Sequence, residues 1–91
     1  MPYILRYHPD VKAVDLPLID EKLKQRLRKA IETRLATHPE RYGAPLRRNL
    51  RGYWKLRVGD YRVVYKLVSD AVLILAIMHR KDVYQIMERR R

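Results

Sequence analysis

At 91 residues the chain makes one domain, spanning 1–91, and its 47% hydrophobic content excludes a disordered chain. It contains no cysteine, which excludes disulfides and thiolate-bound metals, so the core must hold itself together. Its 21 basic and 10 acidic residues leave a net charge of +11, which opposes compaction and points to a polyanion or an acidic protein as partner.

The N-terminal "MPYILRYHPD" lacks the apolar stretch of about seven residues that a signal peptide needs. The longest apolar run, "AVLILAIM", is well short of the roughly 20 residues of a membrane span. Both readings predict a cytoplasmic protein with no membrane part.

"PYILRYH" alternates, with Tyr3, Leu5 and Tyr7 on one side and Ile4 and Arg6 on the other, so a first strand is expected. "PDVKAVDL" can form a short helical segment ended by Pro17. Asp20 then suits an N-cap, with Glu21 near the positive end of the helix dipole. Leu23, Leu27, Ala30, Ile31 and Leu35 follow helical spacing through about Thr37, and Pro39 stops the helix. Its other sides carry Lys22, Lys24, Arg26, Arg28, Lys29 and Arg34, read as a solvated face.

"HPERYGAPL" reads as a loop, and three strands follow. In "YWKLRV", Trp54, Leu56 and Val58 point one way and Tyr53, Lys55 and Arg57 the other. Gly59-Asp60 turns the chain into "YRVVYKLV", with Tyr61, Val63, Tyr65 and Leu67 opposite Arg62, Val64 and Lys66. After Ser69-Asp70, "AVLILAIM" is apolar at every position, as a strand covered on both faces would be. "HRKDVY" ends this strand, and "QIMERRR" can close the chain with a short helix. The fold class is α+β: a small, mostly antiparallel sheet with one face packed by two N-terminal helices and the other partly open.

That open face carries the chemistry. From Arg47 to Lys66 seven basic residues (Arg47, Arg48, Arg51, Lys55, Arg57, Arg62, Lys66) stand against one acid, Asp60. Lys55 and Arg57 share a strand face with Tyr53, and a hairpin at Gly59-Asp60 returns Arg62 beside Arg57. Cations so gathered bind phosphates, arginine bidentately. Trp54 and Tyr65 fall on the apolar side and read as core. No carboxylate pair, phosphate loop or nucleophile elbow is visible, and His8, His38 and His79 have no mutual ligand spacing. No metal and no cofactor are therefore expected.

"LRGYWKLRVGDYRVVYKL", followed by a hydrophobic strand and "HRKDVY", resembles the RelE/ParE toxin superfamily of bacterial type II toxin–antitoxin modules. "DLPLIDEKLKQRLRKAIE" fits that family's helical region. The resemblance implies either a RelE-type ribosome-dependent mRNA endonuclease or a ParE-type inhibitor of DNA gyrase; a non-catalytic RNA-binding module is the third reading. The first is preferred. It would cleave mRNA in the ribosomal A site through the RNA's own 2′-hydroxyl, without metal, and so inhibit translation.

The resemblance also implies site residues. Lys55 matches the family's first strand lysine, Arg62 the arginine that holds the scissile phosphate, Arg80 the later arginine and Tyr84 the C-terminal tyrosine. Arg57 stands where RelE carries a second lysine. Other members use a C-terminal histidine, to which His79 could correspond, and a glutamate, whose place is taken by Ala44 or Pro45. Tyr84 and His79 both remain candidates for the acid–base role. Arg47, Arg48, Arg51, Lys66 and Lys81 are expected to contact RNA. The implied partners are mRNA and the ribosome, and an acidic RelB-like antitoxin in a heteromeric complex.

Overall fold

In the computed structural model, which describes residues 2–47 and 50–90, the alternating segments of the sequence form one five-stranded sheet. Its strands are β1 (Ile4–Tyr7), β2 (Ala44–Pro45), β3 (Tyr53–Val58), β4 (Tyr61–Val68) and β5 (Ala71–His79), in the order β1-β5-β4-β3-β2. β2 through β5 pair antiparallel, whereas β1 lies parallel to β5 with Ile4 opposite Ala71 and Tyr7 opposite Ile74. Gly59, with φ at 60°, makes the turn between β3 and β4 without the steric cost a side chain would add.

The segment after β1 is helical, as expected, but Pro17 does not end it. A wide π-type turn at Val11–Asp15 runs into a 3-10 turn at Leu16–Leu18 that contains the proline. At the start of so short a turn its missing N–H leaves no helical bond unmade. Helix α1 (Glu21–Ala30) begins at Asp20, whose carboxylate accepts the Leu23 N–H at 2.8 Å, and continues as a π-type turn at Ile31–Leu35. The expected loop at 38–46 is more ordered than its prolines suggested. Pro39 opens a one-turn helix, α2 (Pro39–Tyr42), and Pro45 lies in the short edge strand β2. Each proline occupies a position where no N–H is required.

The helices cover one face of the sheet. Leu27, Ala30, Ile31 and Leu35, with Val11 and Ile19, pack on Leu56, Val58, Val63, Tyr65, Val72, Ile74 and Ile77. Each leucine, isoleucine or valine among them contributes about 1.5–3 kcal/mol on burial. Tyr65 is fully buried there, and its hydroxyl donates to the Pro39 carbonyl at 2.6 Å. Gly43 permits this contact, since a Cβ there would overlap the Tyr65 hydroxyl. Trp54 stacks on Tyr65 at 6.4 Å between ring centres, so both aromatics serve the core.

On the other face, helix α3 (Val83–Arg90) folds back over the sheet. Its Val83 and Met87 pack with Leu46, Leu50, Val64, Leu75, Ala76 and Met78. β5 is therefore covered on both faces, as its unbroken apolar run implies. It is not a regular strand. Val64 pairs with Ala76 but Tyr65 with Ile74, which leaves Leu75 as an extra residue. Regular alternation would set Ile77 and His79 beside Leu73 and Leu75 under α3. The bulge returns them to the helix-covered face.

Candidate active site

The part of the second face that α3 leaves open is a cleft of about 340 Å³ lined by Lys55, Arg62, Arg80, Lys81, Val83 and Tyr84. Three local rules assemble it. Alternation in β3 sends Leu56 into the core and Lys55 to this face; alternation in β4 does the same for Val63 and Arg62. The chain after β5 turns at once, because the Arg80 N–H donates to the Asp60 carbonyl at 2.8 Å and a 3-10 turn (Arg80–Asp82) follows. That turn delivers Arg80 and Lys81 to the rim and starts α3, whose first turn supplies Val83 and Tyr84 as a wall.

Arg62 is the best-fixed cation of the cleft. Its Nη1 donates to the Gly59 carbonyl at 3.0 Å and to the Tyr61 carbonyl at 2.9 Å. Burial holds its guanidinium below the ordinary arginine range, and Arg57 and Arg80 push it further down, partly offset by Asp60. Arginine keeps its charge at neutral pH even so. Among the described residues no carboxylate lines the cleft. An anion entering it would relieve the repulsion, and a phosphodiester has the size and charge to do so.

Tyr84 is half-buried, and its hydroxyl oxygen accepts the backbone N–H of Arg47 at 3.2 Å. This bond ties α3 to the segment that leads into β3.

The remaining sequence candidates separate by position. Arg57 lies directly opposite Arg62 but is exposed at the sheet end. There it borders a second cationic groove of about 300 Å³ with Arg26, Lys29, Thr33 and Arg34. Lys66 lies over the Tyr53 ring at 5.2 Å, four residues along β4 from Arg62. Arg47 and Arg51 are exposed on the approach to β3, and Arg48 lies outside the described residues. Lys81, expected only as an RNA contact, lines the cleft.

His79 does not join the cleft residues. The bulge sets it opposite Tyr61, whose ring it meets edge-on at 5.7 Å between centres. Its Nδ1 accepts the Lys81 N–H at 3.2 Å and so caps the turn that presents Arg80 and Lys81. Sequence reasoning also missed Val83 as the apolar wall, for which spacing along a possible final helix was the available signal. Among the described residues no group of three His, Cys, Asp or Glu side chains could hold a metal ion, and no helix is long and apolar enough to cross a membrane.

The chain matches the family model for the ParE toxin of type II toxin–antitoxin systems over residues 4–84. Toxin RelG of Mycobacterium tuberculosis is 32% identical over 87 residues, covering 93% of this chain and 99% of the relative. Toxin RelE of the same organism is 38% identical over 85 residues, covering 88% of each. Among solved structures, a chain of a RelBE toxin–antitoxin complex from M. tuberculosis superposes with a TM-score of 0.81 at 31% identity, covering 90% of this chain and 95% of that one. A mutant of E. coli toxin RelE in the free state shares the fold at 18% identity, with a TM-score of 0.73 over 98% of both chains. The chain therefore belongs to the ParE/RelE family of toxins of type II toxin–antitoxin systems.

Proposed function

We propose that this toxin is a RelE-type endoribonuclease that cuts mRNA held in the ribosomal A site and thereby stops translation. The observation that carries the reading is the cleft itself: four cations and a tyrosine converge there with no lining carboxylate. In the proposed reaction the RNA 2′-hydroxyl attacks the adjacent phosphorus. The 2′-oxygen–phosphorus bond forms, the bond to the 5′-oxygen breaks, and the products end in a 2′,3′-cyclic phosphate and a 5′-hydroxyl. One proton leaves the 2′-hydroxyl and one reaches the departing 5′-oxygen. Arg62 and Arg80 would hold the non-bridging oxygens, and Lys55 and Lys81 would add charge as the pentacovalent state forms. Tyr84 stands on the cleft wall, where it can exchange a proton with either sugar oxygen. The protein cations would take the electrostatic part that a metal plays in other nucleases.

The neighbours solved as toxin–antitoxin complexes support a RelB-like antitoxin as the partner, acidic to match a toxin of net charge +11. The ribosome requirement implies work in the cytoplasm. The family model's description as a ParE toxin favours one second reading, binding of a protein target such as gyrase without RNA cleavage.

Primer-extension mapping in a purified translation system, with and without ribosomes, separates the two. Ribosome-dependent cuts with cyclic-phosphate ends, lost in Arg62→Ala and weakened in Tyr84→Phe, are expected. Intact mRNA under all conditions, with loss of gyrase supercoiling activity, would establish the second reading instead.

A further inference from the structure

We infer that Asp15 and Arg90, at opposite ends of the chain, are positioning residues of the cleft. Their buried ion pair latches α3 to the sheet and so holds Tyr84 against the cations. Only the consequence for cleavage rests on the nuclease reading.

The contacts are specific. Arg90 Nη1 lies 2.7 Å from Asp15 Oδ2, and Nη2 lies 3.1 Å from Oδ1, so the guanidinium grips the carboxylate with both arms. The two side chains are only 9% and 5% exposed. Asp15 Oδ2 also accepts the Ile77 N–H at 2.8 Å, and Arg90 Nη1 donates to the Leu75 carbonyl at 3.2 Å. Asp10 Oδ2 stands 3.6 Å from Arg90 Nε. The pair thus occupies the edge of β5 just past Ile74, the last residue paired with β1.

Helix spacing shows why this controls α3. Val83, Met87 and Arg90 are at i, i+4 and i+7, one stripe facing the sheet, with the charged group at its far end. Eight residues are too few for an independent helix, which needs about 12–15 even with favourable composition. α3 depends on its contacts, and Arg90 is the one at its C-terminal end. Leucines at both positions would leave the Ile77 N–H and the Leu75 carbonyl without the partners they have here, so an apolar pair does not replace this one. The bidentate geometry adds a defined seat for the helix, and Tyr84 turns with that helix.

The Arg47 amide reports the outcome directly, because it donates to the Tyr84 hydroxyl. Hydrogen exchange followed by NMR on the full chain would compare wild type with Arg90→Gln and with the double variant Asp15→Leu/Arg90→Leu. The double variant leaves no buried charge unpaired, so it tests the latch even if the single variant fails to fold. Exchange at Arg47 and at 84–90 is expected to accelerate roughly 10-fold or more in both, as for a local opening, with β3–β5 unchanged. The latch is overturned if Arg47 exchanges at the wild-type rate, or if all amides accelerate together.

Cleavage at saturating ribosomes is then expected to fall roughly 10–100-fold with ribosome affinity retained. If the wild type does not cleave, the nuclease reading fails; if it cleaves and Tyr84→Phe cleaves equally well, only the role of Tyr84 fails; in either case exchange alone decides the latch. If Tyr84→Phe is impaired while both latch variants cleave normally, the positioning role is wrong.

Discussion

The two faces of the sheet answer opposite demands. The helix-covered face is an apolar cluster in which the Tyr65 hydroxyl is matched to a single carbonyl. The opposite face is divided: α3 seals one half, and the other half crowds Lys55, Arg62, Arg80 and Lys81 into a cleft. The first face gains from every contact it makes. The second opposes like charges directly, Arg57 against Arg62, an arrangement that costs stability until an anion arrives. Stability and binding capacity therefore reside on opposite sides of the same strands, often in adjacent residues such as Leu56 and Lys55.

Substitutions can break that division or sharpen it. The largest loss of stability is expected from truncation of the helix-covered core: Leu27→Ala should cost about 2–5 kcal/mol, read as a lower urea midpoint at unchanged slope. Arg62→Ala should do the reverse. Its cleavage rate is expected to fall about 10²–10³-fold, as when a preorganised transition-state donor is removed, while its urea midpoint holds or rises. A matching loss of stability in Arg62→Ala would show that the two faces are not separable.

Tyr65→Phe is expected to cost about 0.5–1.5 kcal/mol, because it removes a buried hydrogen bond while the Gly43 N–H still donates to the Pro39 carbonyl at 3.2 Å. Burial raises the Tyr65 pKa above the ordinary tyrosine range, with Glu40 adding to the effect. The folded state thus retains a proton that the unfolded chain gives up. Stability from this group is complete below about pH 10 and declines as pH rises beyond it, a decline that alkaline unfolding curves of Tyr65→Phe should lack. The smallest change is on the second face: Arg57→Gln should raise stability by about 0.2–1 kcal/mol, with the gain shrinking as salt is added.

Much of this division is legible in the sequence because alternation is a strong signal wherever apolar and charged residues take turns. Lys55 against Leu56 and Arg62 against Val63 need no structure to be assigned a side, and Asp20 is readable as a cap from its place before the apolar stripe. The signal fails in "AVLILAIM", where every residue is apolar and a slip of phase leaves no mark. His79 follows that run, so its side could not be read, and it lies away from the cleft. Arg90 was equally hidden. In "ERRR" it looks like a solvated end, and the acid that buries it is 75 residues away. Pro39 and Pro45 read as loop punctuation because proline marks both a loop and the first position of a helix or edge strand.

The extra residue in β5 also bears on the last helix. Removing Leu75 would let Ile74 and Ala76 pair with β4 as neighbours, so both halves of the strand would keep their sides, at the loss of one buried side chain under α3. It would also straighten the edge and take away the carbonyl to which Arg90 donates. In this chain the length of the strand and the seat of the last helix are therefore linked, because the extra residue supplies one of the groups that Arg90 holds.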